Sequence, residues 1–226
     1  MLPGEGGEKL APARIAAAAD ASLKRLGVER IDLYFAHQDD DAVRQEDALA
    51  AFGKLIDAGK VRALGASNFH AARLKSANEA ATAGGLPHYR VLQPEYNLVS
   101  RHKFEGELQD YCVEHNVGVV PYYGLASGFL TGKYRSTADL GKSVRGGRMT
   151  ELLEGKGAAV LAALDEVAAD TGATLAQIAL AWLAAQPGVT APIASATSVA
   201  QVEELTGSIG IELSESQLDR LTNAGA

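Results

Sequence analysis

Cysteine is nearly absent from this chain, and that absence narrows the field first. Cys112 is the sole cysteine among 226 residues; it sits in a helical pattern, LQDYCVEHN, with nothing to bridge to, so a disulfide-framed scaffold is excluded and the thiol reads as structural. Uncharged apolar runs are short too. None approaches the ~20 residues that a membrane-spanning helix requires. The opening MLPGEGGEKLAP has neither the basic nor the apolar region of a signal peptide, which makes the cytoplasm the expected location. Positive charge is also scarce: 21 Lys and Arg stand against 28 Asp and Glu, a formal net charge of −7. Neutralising a nucleic-acid backbone takes clustered Lys and Arg, so neither nucleic acid nor a membrane is an expected partner. The five histidines (37, 70, 88, 102 and 115) are scattered without HxxxH spacing, so no metal site is expected. A GxGxxG turn after a strand and a P-loop are both missing.

What the chain does have is an ordinary globular composition, 47% hydrophobic and 22% charged, at a length that suits one larger α/β domain spanning 1–226. Its organising stretch is KVRALGASNF, 60–69. Val61, Ala63 and Leu64 form an apolar run that stops at Gly65, Ser67 and Asn68, the pattern of a buried parallel strand whose carboxyl end opens into a loop. Four other runs end on small or polar residues in the same way. The expected strands are therefore 31–38, 60–67, 91–97, 117–123 and 190–195, parallel and adjacent in that order.

Helical periodicity separates them. A helix over 12–26 places Ile15, Ala18, Ala19, Leu23 and Leu26 on one face and ends at Gly27. Further helices are expected over 41–58, 71–83, 102–115, 157–170, 174–186 (capped by Thr174), 199–206, and from Ser214, whose SESQ has capping-box spacing. A long irregular stretch, 131–150, carries Gly132, Gly141, Gly146 and Gly147 with Lys133, Lys142, Arg145 and Arg148; a loop that long in a compact domain is usually functional or disordered. Right-handed crossovers between parallel strands fold such a βα alternation into an α/β layer or barrel. Five strands are too few for an eight-stranded closure, so an incomplete barrel with open strand edges, able to self-associate, is the expectation.

Several residues at strand ends can carry chemistry. His37 can hydrogen-bond a substrate carbonyl or shuttle a proton, or bond the backbone at a barrel rim. Ser67 and Asn68 suit either a ligand carboxamide or a helix cap. Gln93 has an amide that needs satisfying by a neighbouring strand or by a ligand. Tyr122 and Tyr123, before GLASG, suit stacking on a planar ring beside a loop that lets phosphates approach, or one core and one surface tyrosine beside a turn.

Taken together, ERIDLYFAHQDD (29–40), GKVRALGASNF (59–69), VLQPEYNLVSR (91–101), PYYGLASGFLTGKYR (121–135) and TLAQIALAWLAAQPGVTAPIASATSVAQVEEL (174–205) resemble the aldo-keto reductase family, in the family's order and over nearly the whole chain. The resemblance implies an α/β TIM-type barrel that reduces carbonyls of small molecules with NADPH, with NADH as the alternative. It implies that His37 orients the carbonyl, that Ser67, Asn68 and Gln93 hold the nicotinamide carboxamide, and that Tyr122 stacks on the nicotinamide ring. Leu125, Ser127, Gly128, Leu130 and Lys133 match the loop over the pyrophosphate; Ser195, Ala196, Thr197, Gln201 and Glu204 match contacts to the adenosine 2′-phosphate and adenine. The family's aspartate, proton-donating tyrosine and lysine belong to strands ahead of the helix at 12–26, so the first three strands are expected to be missing here and activity to be impaired. Ser195 stands where a basic residue often meets the 2′-phosphate, and Leu205 where an asparagine is common.

Two other functions compete at this point. One is a non-catalytic nucleotide-binding or regulatory protein of the same fold. The other is an unrelated α/β enzyme using His37 with Asp39 or Asp40 as an acid/base pair.

Overall fold

The computed structural model describes residues 9–142 and 149–226. They divide into two compact units, one formed by the chain up to Pro94 with Gly106–Val119, the other by Glu95–Glu105 with Val120–Ala226. Arg145 and Arg148, with Gly146 and Gly147, lie outside the described residues.

In the first unit the alternation runs α1 (Pro12–Leu26), β1 (Ile31–Ala36), α2 (Gln45–Asp57), β2 (Val61–Ser67), α3 (Ala71–Gly84), β3 (Tyr89–Gln93), α4 (Glu107–Glu114) and β4 (Gly118–Val119). The strands form one parallel sheet in the order β1-β2-β3-β4, an open α/β sheet of the TIM-barrel type. Ile31 pairs with Val61, Ala36 with Ala66, Ser67 with Gln93 and Leu92 with Val119. Successive side chains alternate between two faces. Tyr34, Ala36, Leu64, Ala66 and Leu92 are buried, and Phe52 of α2 meets the rings of Tyr34 and Tyr89 edge-on at 6.2 and 6.4 Å. On the other face Leu33, Phe35, Ala63, Val91 and Gln93 are only half-buried. The Phe35 ring lies over Gly65, 2.3 Å from where a Cβ would stand, so only glycine fits beneath it.

Among the described residues the sheet has four strands where five were expected, and the prolines explain the difference. Pro94 ends β3 at Gln93, short of 97, because proline has no N–H for the ladder. Pro121 likewise cuts β4 to two residues, with one further parallel bridge between Tyr122 and Glu95. The segment 190–195 is extended without being a strand: Ile193 N donates to Pro121 O at 3.1 Å, but Pro192 inside the segment has no N–H with which to extend the ladder. The helix expected over 102–115 is shortened to Glu107–Glu114, since Gly106 at φ 87° precedes it as a break. The apolar stripe of α1 is buried at Ile15 and Ala19, whereas Leu26 is 65% exposed because no described element covers that end.

The second unit is helical: α5 (Thr150–Glu154), α6 (Gly157–Thr171), α7 (Leu175–Ala184), α8 (Val199–Thr206) and α9 (Glu215–Ala224). Thr174 caps its helix as expected and goes further, forming a reciprocal capping box with Gln177, while Ser214 forms with Gln217 the box that its spacing predicts. Trp182 and Tyr96 are fully buried with rings 5.6 Å apart. Among the described residues no single helix is long and apolar enough to cross a membrane.

Candidate functional site

Because β1, β2 and β3 are parallel and adjacent, their carboxyl ends fall on one edge of the sheet. His37 is the first residue past β1, Ser67 the last of β2, Asn68 the next, and Gln93 the last of β3. The first unit therefore brings together all four of these predicted residues. Asn68 sits at φ 58°, a left-handed conformation that asparagine tolerates better than most residues. From there its Nδ2 donates to His37 O at 3.0 Å and to Ser67 Oγ at 3.2 Å. Ser67, 2% exposed, donates from Oγ to Gln93 O at 2.9 Å. One line of hydrogen bonds thus ties three strand ends, each bond contributing on the order of 1 kcal/mol. The half-buried Gln93 carboxamide makes no hydrogen bond among the described residues. It is the polar group of this edge that a ligand amide can pair with in both directions.

The second unit holds the remaining candidates. Tyr122 is half-buried, its ring edge-on to Tyr123 at 5.0 Å and 72°. Burial pushes its hydroxyl pKa upward, with the Glu95 carboxylate and Tyr123 adding to the shift. Tyr123 stands at φ 58° and is 51% exposed; the Asn97 Nδ2 holds its carbonyl at 3.0 Å. Beyond it, Ala126, Ser127 and Gly128 are all left-handed, at φ 47°, 56° and 94°. Leu125 is half-buried and Leu130 fully buried. The Lys133 ammonium reaches within 3.0 Å of where a Cβ on Gly128 would stand, and lies 5.1 Å from the Tyr134 ring centroid. A tight left-handed backbone under a lysine suits an anion such as a pyrophosphate. Ser195 and Thr197 are exposed and Ala196 is half-buried. Gln201 is exposed and reaches back to the residue before its own helix cap: its Oε1 accepts from Thr197 N at 2.7 Å and from Thr197 Oγ1 at 3.1 Å. The half-buried Glu204 takes part through its backbone carbonyl, which accepts from Gln177 Nε2 at 3.0 Å.

The aldo/keto reductase family model matches residues 1–226. The chain belongs to that family. It is 33% identical over 210 residues to an aldo-keto reductase of Fusarium vanettenii, covering 92% of this chain and 56% of that protein. It is 33% identical over 211 residues to a probable voltage-gated potassium channel subunit beta of Arabidopsis thaliana, 89% of this chain and 63% of that one. It is also 31% identical over 218 residues to the aldo-keto reductase yakc [NADP(+)] of Schizosaccharomyces pombe, 94% of this chain and 62% of that one. The chain thus spans 56% to 63% of the length of these relatives.

For an aldo/keto reductase, sequence reasoning missed two groups. Asn97 is 1% exposed and saturated: its Oδ1 accepts from Val99 N at 3.0 Å and Ser100 N at 2.9 Å while its Nδ2 holds Tyr123. The signal was an asparagine set between apolar Tyr96 and Leu98, where a buried amide must find partners. The other is Arg73, which grips Asp39 from α3 through Nε at 2.5 Å and Nη2 at 2.9 Å. Nothing in the local pattern announces that pair, because its members are 34 residues apart.

Proposed function

We propose that this chain carries the nicotinamide-holding and carbonyl-orienting parts of an oxidoreductase that reduces aldehydes and ketones to alcohols, with NADPH as the cofactor. The observation that carries the reading is the hydrogen-bonded line from His37 through Asn68 and Ser67 to Gln93. It fixes the backbone of His37 and Gln93 on the edge of a parallel sheet where α/β enzymes hold ligands. The residues fit a nicotinamide dinucleotide: Gln93 presents donor and acceptor to a carboxamide, and the Gly128–Lys133 loop makes a cradle for a pyrophosphate. The name of the Schizosaccharomyces pombe relative, which specifies NADP(+), favours NADPH over NADH.

When bound, the cofactor supplies the hydride that reaches the carbonyl carbon. His37 would hydrogen-bond the carbonyl oxygen and aim the carbon, Gln93 would pair with the cofactor's carboxamide, and Tyr122 would offer an aromatic face for the ring. The reduced oxygen then needs a proton. Tyr34, Tyr89, Tyr96, Tyr111 and Tyr122 all have hydroxyl pKa values shifted upward, with burial the first cause in each. A tyrosine that gives up its proton near neutral pH needs the opposite shift. Five of the seven tyrosines are thus disfavoured as the donor, and these 226 residues on their own are expected to bind NADPH weakly and to turn over near background, since general-acid catalysis is worth roughly 100- to 10,000-fold.

The test is NADPH oxidation with a broad aldehyde panel, run on the 226-residue chain and on one extended upstream in the reading frame. The extended form should gain at least that factor in kcat/KM and lose it again on His37→Ala. Equal kcat/KM in the two forms would mean that the donor lies within these residues and that the roles assigned here are wrong.

A further inference from the structure

We propose that the Arg73–Asp39 ion pair is the positioning device of His37, locking the turn that aims its ring; the inference rests on the reading of His37 as the carbonyl-orienting group. Asp39 lies two residues past His37, where β1 has ended and the backbone has no ladder to hold it. Arg73 stands in the first turn of α3 and meets both carboxylate oxygens with the two arms of its guanidinium, at 2.5 and 2.9 Å. The side chains are 24% and 16% exposed, whereas Asp41, a second carboxylate 3.4 Å from Arg73 Nε, is 89% exposed.

The rest of the turn is pinned from other directions. The Asp40 carboxylate accepts from Leu10 N at 3.0 Å and Ala42 N at 3.1 Å. Lys9 Nζ donates to Gln38 Oε1 at 3.0 Å. Arg73 is itself fixed, since Gln45 Nε2 of α2 donates to its carbonyl at 3.0 Å and Ser76 Oγ donates to Gln45 Oε1 at 2.9 Å. His37 therefore sits between two anchors: Asn68 on its own carbonyl and Arg73 on the residue two positions ahead.

A shielded ion pair is a poor source of stability, because desolvating two charges offsets most of their attraction, and an apolar pair of similar volume often replaces it at no cost. What the pair supplies is geometry. A planar guanidinium bound bidentate to a carboxylate has one favoured arrangement, and an orienting group works only when held within about 0.5 Å of its productive place. Neither residue needs to touch substrate or cofactor; they act through His37.

The deciding experiment separates stability from aim. Asp39→Leu with Arg73→Met removes both charges and keeps bulk; Arg73→Lys keeps the charge and loses the fork. In the 226-residue chain, the double variant should melt within a few degrees of the parent. Its His37 ring resonance, assigned by its disappearance in His37→Ala, should broaden or split, and Arg73→Lys should give an intermediate change. In the upstream-extended chain the double variant should lower kcat roughly 10- to 100-fold with NADPH affinity unchanged. A His37 ring signal unchanged in the folded double variant would overturn the proposal. So would an unchanged signal in Arg73→Lys if the double variant does not fold. Full turnover in His37→Ala would instead sink the functional reading, and the ring signal would still decide whether the pair positions the histidine.

Discussion

Asn68 bears more of the site than its exposure suggests. Its left-handed backbone and its side-chain hydrogen bonds act separately: the first turns the chain out of β2, the second ties the end of β1 to β2. Asn68→Ala should lose both, at a cost of about 1–3 kcal/mol from left-handed strain and the lost bonds. Asn68→Gly keeps the turn and loses only the bonds. Chemical denaturation should therefore rank parent above glycine above alanine, while NADPH affinity, read by fluorescence titration, falls alike in both variants. Equal stability of the two variants would mean that the backbone conformation there carries no strain. Cys112 lies at the other extreme: burial pushes its thiol pKa up to about 12, which leaves it inert as a nucleophile near neutral pH.

At the scale of elements, α9 is joined to the Glu95–Glu105 segment through one shielded network. Glu105 Oε1 accepts from Arg101 Nε and Tyr96 Oη, both at 2.7 Å, Arg101 Nη1 donates to Thr222 O at 2.5 Å, and Trp182 Nε1 donates to Thr222 Oγ1 at 3.0 Å. Burial alone would raise the Glu105 carboxyl pKa, but the bonds from Arg101 and Tyr96 outweigh it and hold the pKa below the ordinary carboxylate range. A depressed folded-state pKa adds stability above the unfolded value, near ~4.3, and that stability is lost as pH falls through the lower folded value. The parent should therefore lose more stability between about pH 5 and pH 3 than Glu105→Gln does, measured by denaturant unfolding. Parallel pH profiles would remove Glu105 from the account. Elements differ in how far local chemistry wrote them into the sequence. α1 to α3 and β1 to β2 were legible because periodicity and the terminal glycines Gly27, Gly59 and Gly85, all left-handed, agree with one another. β3, β4 and the segment 190–195 form less strand than their apolar patterns suggest, because Pro94, Pro121 and Pro192 have no N–H to give the ladder. The site residues were legible at strand ends; Arg73 and Asn97 were not, since their partners are set by the sheet rather than by neighbours in the chain.

Across the whole molecule, apolar surface is left uncovered in each unit. In the first, Leu33, Phe35 and Val91 face outward from the sheet only half-buried, and β1 is paired on one side among the described residues. In the second, α8 buries none of its residues, and Val199, Val202 and Ile209 are 74%, 49% and 86% exposed. A lone parallel edge and apolar patches of this kind favour association, so the 226-residue chain is expected to self-associate, and a sharp monomeric light-scattering peak would contradict that. The central claim concerns the cofactor and is tested most directly by calorimetric titration of NADPH into the 226-residue chain and into Gln93→Ala and Gly128→Ala. The account predicts saturable binding with the parent and a several-fold weaker Kd in each variant, because one loses the carboxamide partner and the other crowds the loop under Lys133. Absence of saturable binding to the folded parent, or equal affinity in all three, would contradict it.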